Sequence, residues 1–263
     1  MKFDKVLVPI DGSVLSKSAI DLALNSAKAF NANLTFVYVV DVTEYGRFGN
    51  VDANMTAMML KAEGKLAIES IKGIAEKYGV EYKAVIVEGV PWQVISEMSK
   101  EQDMIIMGVT GKAGIGAGRI GGTAEKVVEN SYCPVLTLKS GSAKMESILL
   151  PVSNEHMAAI DLAIDSAKNS NSKITVLAVR GRADPSALVD TVIQHIKDAG
   201  VTNVDYLIEN GDIADVIIGE SGKYDLVIMG TEGRHGLKKI LNGSVAEKVM
   251  TGAACPVTII RDR

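Results

Sequence analysis

The chain has 263 residues, 47% of them hydrophobic and 23% charged, with a formal net charge of −4 and a pI near 5.5. That leaves room for a sizeable core in one or two domains, and the acidic balance argues against nucleic acid as a partner. No apolar run reaches the roughly 18 residues of a membrane span, so no membrane partner is expected. The opening MKFDKVLVPIDGS enters a strand pattern at once and does not read as a signal peptide. Cys133 and Cys255 each begin a Cys-Pro-Val. Without a secretory leader they read as free, small buried hydrophobes in a cytoplasmic protein. They and the scattered His156, His195 and His235 supply too few ligands for a metal site.

Taken in order, residues 6–10 form a short apolar run closing on Pro9-Ile10-Asp11-Gly12-Ser13. A buried strand followed by helix-capping residues looks like this. Ile20, Ala23, Leu24 and Ala27 recur at helical spacing within 16–29. A strand over 34–40, an amphipathic helix over 64–78, a strand over 81–87 and a short helix over 90–100 follow. Residues 103–107 are a buried strand leading into a glycine-rich loop; 125–130 are helical and 134–138 a last strand. Such alternation predicts a parallel sheet with helices on both faces. The simplest winding is a doubly wound sheet in the order 3-2-1-4-5. Strands 1 and 4 are then neighbours, and the crevice between their carboxyl ends is the expected ligand site. It brings Pro9 and Asp11 to Met107 and Gly108, stretches far apart in the chain.

The whole pattern occurs twice. Gly108, Gly111, Gly121 and Cys133 align without a gap to Gly230, Gly233, Gly243 and Cys255 at a constant offset of 122, as does Gly89 to Gly211. Ala19-Ile20-Asp21-Leu22-Ala23 matches Ala159-Ile160-Asp161-Leu162-Ala163 at 140. The second copy is therefore shorter, and most of the difference falls between Val40 and Gly89. The joint falls at Ser140-Gly141-Ser142, giving domains 1–141 and 142–263. In the second domain the crevice residues become Pro151 and Ser153 against Met229 and Gly230. Residues 41–63, with Met55, Met58 and Met59, have almost no counterpart there. A cap over a ligand, a dimer contact or a plain surface loop before the helix would each suit them.

The stretch 225–248, DLVIMGTEGRHGLKKILNGSVAEK, reads as a buried strand, a glycine-bearing loop and a helix start. Glycines let backbone approach a phosphate, and a helix N-terminus presents open N–H groups and a partial positive charge. The bland alternative is a glycine loop packed tightly on the sheet. Lys112, Arg119, Arg234, Lys238 and Lys239 lie in or near the two loops and could neutralise phosphates; solvated surface charge explains each equally well.

On these residues each half resembles a universal stress protein domain, and nearly the full length is similar to a tandem member of that family. Gly230, Gly233, Gly243 and Ser244 satisfy the G-x2-G-x9-G-[ST] pattern of its nucleotide-binding members. The resemblance implies a flavodoxin-like, Rossmann-like α/β fold in each half, with ATP, or ADP or AMP, in the crevice, with or without magnesium. It also implies internal pairing of the two domains through their last strands; a homodimer of chains is a further option. Carried over by position, the acidic nucleoside contact falls on Asp11 and the adenine-side valine on Val39. Their second-half equivalents are Ser153 and Val179. The phosphate loop falls on Gly108, Gly111, Gly121, Gly122 and Thr123, and on Gly230, Gly233, Gly243, Ser244 and Val245.

Each half departs from the pattern in its own way. The first keeps Asp11 but has Gly122 where the pattern has a hydroxyl, with Thr123 one place on. The second has the complete loop but Ser153 in place of a carboxylate. Two non-identical adenine-nucleotide sites in a stress-response regulatory protein are the expectation. No Ser-His-Asp set, Walker lysine or magnesium carboxylate cluster is visible. The competing readings are a nucleotide-hydrolysing enzyme of the related α-hydrolase-like class and a nucleotide-free tandem scaffold.

Overall fold

The computed structural model describes residues 3–45, 53–110, 121–139, 145–153, 156–181, 183–231 and 245–261. The chain divides into compact units at Val135 and Leu136, Phe3–Val135 and Leu136–Arg263. The first half runs β1 (Lys5–Ile10), α1 (Val14–Phe30), β2 (Asn33–Asp41), α2 (Ala53–Tyr78), β3 (Tyr82–Gly89), α3 (Pro91–Met98), β4 (Met104–Gly108), α4 (Gly122–Asn130) and β5 (Val135–Leu138). The second repeats it as β6 (Ser147–Pro151), α5 (Met157–Ser170), β7 (Lys173–Arg180), α6 (Ser186–Asp198), β8 (Val204–Asn210), α7 (Ile213–Ser221), β9 (Leu226–Thr231), α8 (Val245–Gly252) and β10 (Val257–Arg261).

Strand order is β3-β2-β1-β4-β5 in the first half and β8-β7-β6-β9-β10 in the second, the same 3-2-1-4-5 winding. β1 pairs in parallel with β2 and β4, and β6 with β7 and β9. Both first strands are covered on both faces, which is why they read as unbroken apolar runs. Leu7 and Val8 are wholly buried in one, and Ile148, Leu149 and Leu150 in the other. In the first half α1 packs beside α2 and α3 beside α4; α5 with α6 and α7 with α8 repeat this in the second. The duplication extends to backbone detail. Asn31 and Asn171, which end α1 and α5, both take left-handed conformations with φ of 53° and 55°.

One element differs from expectation. α2 starts at Ala53, not at residue 64, so much of 41–63 is helix rather than loop. Gly64 lies inside the helix because the ring of Tyr38 fills the place of its side chain: a Cβ there would sit 2.7 Å from Cδ1. Met55, Met58 and Met59 lie on the outer side of this added length, exposed by 59%, 72% and 59%.

Candidate functional site

At the carboxyl end of β1 the chain turns sharply. Gly12 adopts φ 76°, and Asp11 Oδ1 accepts the Ser13 N–H at 2.9 Å. Asp11 thus serves the turn into α1 as a capping residue would, while its half-buried carboxylate remains at the crevice. The side chain of Met107 is buried at the end of β4, with Gly108 following. Register fixes the neighbours, with Val6 beside Met104 and Leu7 beside Ile105. Across β1, Pro9 is matched with Val37 and Ile10 with Tyr38. Pro9 is buried. Val39, one residue past Tyr38, is less buried than either strand neighbour, as is Val179 relative to Ala178 in the second half.

The loop after β4 is anchored at both ends. The Gly121 N–H donates to the Val109 carbonyl at 2.9 Å, so the chain returns to the point it left. Gly121 is the N-cap of α4 with extended backbone, and no side chain caps the helix. The first turn, which contains Gly122 and Thr123, therefore presents backbone N–H groups toward the β4 end. A Cβ on Gly122 would meet nothing within 4 Å. In the second half the equivalent crevice is built from Pro151, Ser153, Met229 and Gly230, with Val245 opening α8. Ser153 is exposed and Met229 buried. Gly111, Gly233, Gly243 and Ser244 lie outside the described residues, as do Lys112, Arg119, Arg234, His235, Lys238 and Lys239.

The structure also brings to the crevices residues that were not singled out from sequence. The Tyr38 hydroxyl donates to Glu63 Oε2 at 3.3 Å, joining α2 to the end of β2. Burial, followed by the Glu63 carboxylate, its hydrogen bond and then Asp11, pushes the Tyr38 phenol up to about 12. Because the folded value lies above the ordinary one of 10.0, the stability this contributes is complete below pH 10 and is lost as pH rises through about 12. Tyrosinate absorbance should show the Tyr38 phenol ionising last, Tyr45 also being held above the ordinary range by burial and its hydrogen bond to Glu88, and Tyr38→Phe should remove the last step. In the second half His156, the N-cap of α5, lies against Gly230: a Cβ on that glycine would be 2.8 Å from the histidine Cγ and 2.9 Å from its Cβ.

Other side chains serve the frame. Asp103 Oδ2 accepts the N–H groups of Asp4 and Lys5, both at 2.9 Å. Its repeat equivalent Asp225 accepts from Glu146 N, Ser147 N and Ser147 Oγ at 2.9–3.1 Å. The half-buried Trp92 packs under Lys126, whose Nζ lies 5.6 Å from the ring centre. His195, on α6, pairs with Asp161, on α5, at 3.2 Å. Both cysteines are free and half-buried rather than fully so. Burial pushes the Cys255 thiol up to about 11, which keeps it protonated and unreactive near neutral pH. Among the described residues no group of three or more His, Cys, Asp or Glu could hold a metal ion, and no helix is long and apolar enough to cross a membrane.

With this geometry in view, the profile of the Universal stress protein family matches residues 2–139 and 180–261. The chain belongs to the universal stress protein family. A universal stress protein of Methanocaldococcus jannaschii is 39% identical over 140 residues, covering 52% of this chain and 82% of that one. One of Mycobacterium tuberculosis is 24% identical over 287 residues, covering 97% and 96%, so the tandem arrangement has a full-length relative. Among solved structures, a universal stress protein of Archaeoglobus fulgidus superposes with a TM-score of 0.84 at 18% identity, covering 99% of both chains. That likeness concerns the fold.

Proposed function

We propose that this universal stress protein is a regulatory protein that binds adenine nucleotide, ATP or else ADP or AMP, at the carboxyl ends of β1 and β4 and again at those of β6 and β9. The observation that carries this is the tethered loop at the winding reversal. Gly121 is hydrogen-bonded to the end of β4, and an uncapped helix starts directly behind it. Open α/β sheets take ligands where the winding reverses, and helix N-termini favour phosphate. Asp11 follows the end of β1, and the partly exposed Val39 is near the end of β2, the strand on the side of β1 away from β4. They suit a nucleoside: a carboxylate accepts from ribose hydroxyls, and a valine edge meets a base.

Calorimetric titration of ATP into the intact chain tests the proposal. Two binding events of unequal affinity are expected, and absence of any heat or thermal shift with ATP, ADP and AMP would sink it. Gly122→Ser gives a sharper reading. There is open space for the hydroxyl, and one added hydrogen bond to a charged phosphate is worth roughly 1.5–3 kcal/mol. The first site should therefore tighten by about tenfold or more, with the second unchanged. Removing a helical glycine should also raise apo stability by about 0.5 kcal/mol.

A further inference from the structure

The first unit leaves an apolar stripe of α2 in solvent. Laid out at about 3.6 residues per turn, the buried positions Thr56, Gly64, Ile71 and Ala75 share one face of the helix, which packs on β2, β3 and α1. Met55, Met59, Ala62 and Leu66 share the opposite face, with Met58 at its margin. Met55, Met58, Met59 and Leu66 are exposed by 59%, 72%, 59% and 72%. A helix covered on one side ordinarily turns polar residues to solvent. The counterpart α6 does so: its exposed residues are Ala187, Asp190, Thr191, Gln194, Lys197 and Asp198. The ridge on α2 is also held in place. The Tyr38 hydroxyl bonds Glu63, Lys61 Nζ lies 2.6 Å from Glu88, and Glu88 accepts from the Tyr45 hydroxyl at 3.1 Å. These contacts tie the added turns of α2 to β2 and β3, so little ordering is left for a partner to impose.

Size and charge both fit this face to a second copy of itself. Along the stripe the large side chains occupy the N-terminal part, and Ser70 and Gly73 follow them; a Cβ on Gly73 would meet nothing within 4 Å. Turned antiparallel about Leu66, two copies set Leu66 against the partner's Leu66, Ala62 against the partner's Ser70 and Met59 over the partner's Gly73. Large side chains thereby meet small ones. Lys65 and Glu69 are exposed along one flank of the stripe. The same two-fold rotation brings Lys65 beside the partner's Glu69 and Glu69 beside the partner's Lys65, the reciprocal contact of an isologous interface. The four large side chains leave roughly 500 Å² open on each copy, so closing two copies covers about 1,000 Å², the least that a specific interface needs. An anionic membrane surface fits less well, because Lys61, Lys65, Lys72 and Lys77 are interspersed with Glu63, Glu69 and Glu76.

We propose that two chains associate through α2 as a closed two-fold dimer, the helices antiparallel about Leu66. The pairing stands apart from the nucleotide reading and needs no ligand at either crevice. Since α6 carries no such ridge, this contact closes at two chains.

Sedimentation velocity on the intact chain tests the dimer between about 1 and 100 µM, where an interface of this size dissociates. The parent chain should pass from monomer to dimer over that range. Leu66→Lys sets two like charges at the two-fold axis and should weaken the dimer at least about thirtyfold, the loss of a central anchor. The monomer's fold, read by circular dichroism, should be unchanged because position 66 is open to solvent. Lys65→Glu and Glu69→Lys should each weaken the dimer, and the double swap should recover most of the loss. A parent chain that stays monomeric throughout overturns the proposal, as does a monomer that binds vesicles of anionic lipid instead. A dimer that Leu66→Lys leaves untouched overturns it too, and so do charge variants whose losses the double swap fails to recover.

Discussion

Replacing Asp225 with alanine should lower the stability of the second unit by roughly 3 kcal/mol, a large share of what a domain of this size has. One carboxylate oxygen there receives three donors, Glu146 N, Ser147 N and Ser147 Oγ, and the Asp225 N–H returns a bond to Ser147 Oγ at 3.1 Å. The exchange ties the entrance of β9 to the entrance of β6. Those are the two strands whose other ends form the second crevice, so their relative register is set here. Removing the carboxylate strands two backbone donors at a half-buried edge, and hydrogen bonds to a charged acceptor are worth about 1.5–3 kcal/mol each, less than additively when they share one atom. Asp225→Asn keeps an acceptor without the charge and should cost about half as much. Asp103→Ala provides an internal control: its carboxylate receives two backbone donors, Asp4 and Lys5, and no hydroxyl, so the loss should be smaller. Urea unfolding of each variant followed by far-UV dichroism measures the differences. Equal losses at the two positions would mean that the serine hydroxyl contributes nothing.

The strand order and the duplication were legible because each rests on a pattern that backbone geometry enforces. A parallel strand covered on both faces has to be apolar throughout, as residues 6–10 and 148–150 are, and a helix covered on one face shows its period. The expected place for a ligand followed from the order alone. What escaped reading depended on a single distant partner. Gly64 looks like a helix start, since glycine is a poor helix former. It sits mid-helix because the Tyr38 ring needs its missing side chain, and that contact joins β2 to α2. Asp103 and Asp225 look like plain strand-leading polar residues. Only their shared repeat offset hints at a common duty, and the duty itself is a bond across the sheet. His156 carried no signal for the crevice at all. Its meeting with Gly230 depends on where α5 starts, which a sequence pattern marks only loosely.

That meeting makes Gly230→Ala the most disruptive single change expected at the second crevice. A methyl there would stand 2.8 Å from the His156 Cγ and 2.9 Å from its Cβ. Rotating the ring relieves the first contact but not the second, because the histidine Cβ moves only with the backbone at the N-terminus of α5. The helix start must shift, and overpacking of this kind costs about 1–3 kcal/mol. The glycine thus has two explanations. Either it is there to let His156 pack, or it is there to bring backbone close to a nucleotide. They separate in a double variant. His156→Gly removes both offending atoms, and glycine is an acceptable N-cap, so the swap itself costs only a few tenths of a kcal/mol. In the pair Gly230→Ala with His156→Gly, stability should return to within about 0.5 kcal/mol of the parent, a coupling that a thermodynamic cycle reads directly. Second-site ATP affinity should stay reduced, because the methyl still stands at the end of β9 where the ligand's backbone contacts would form. Full recovery of ATP binding along with stability would show that Gly230 serves the histidine alone, and would move the nucleotide contacts off the end of β9.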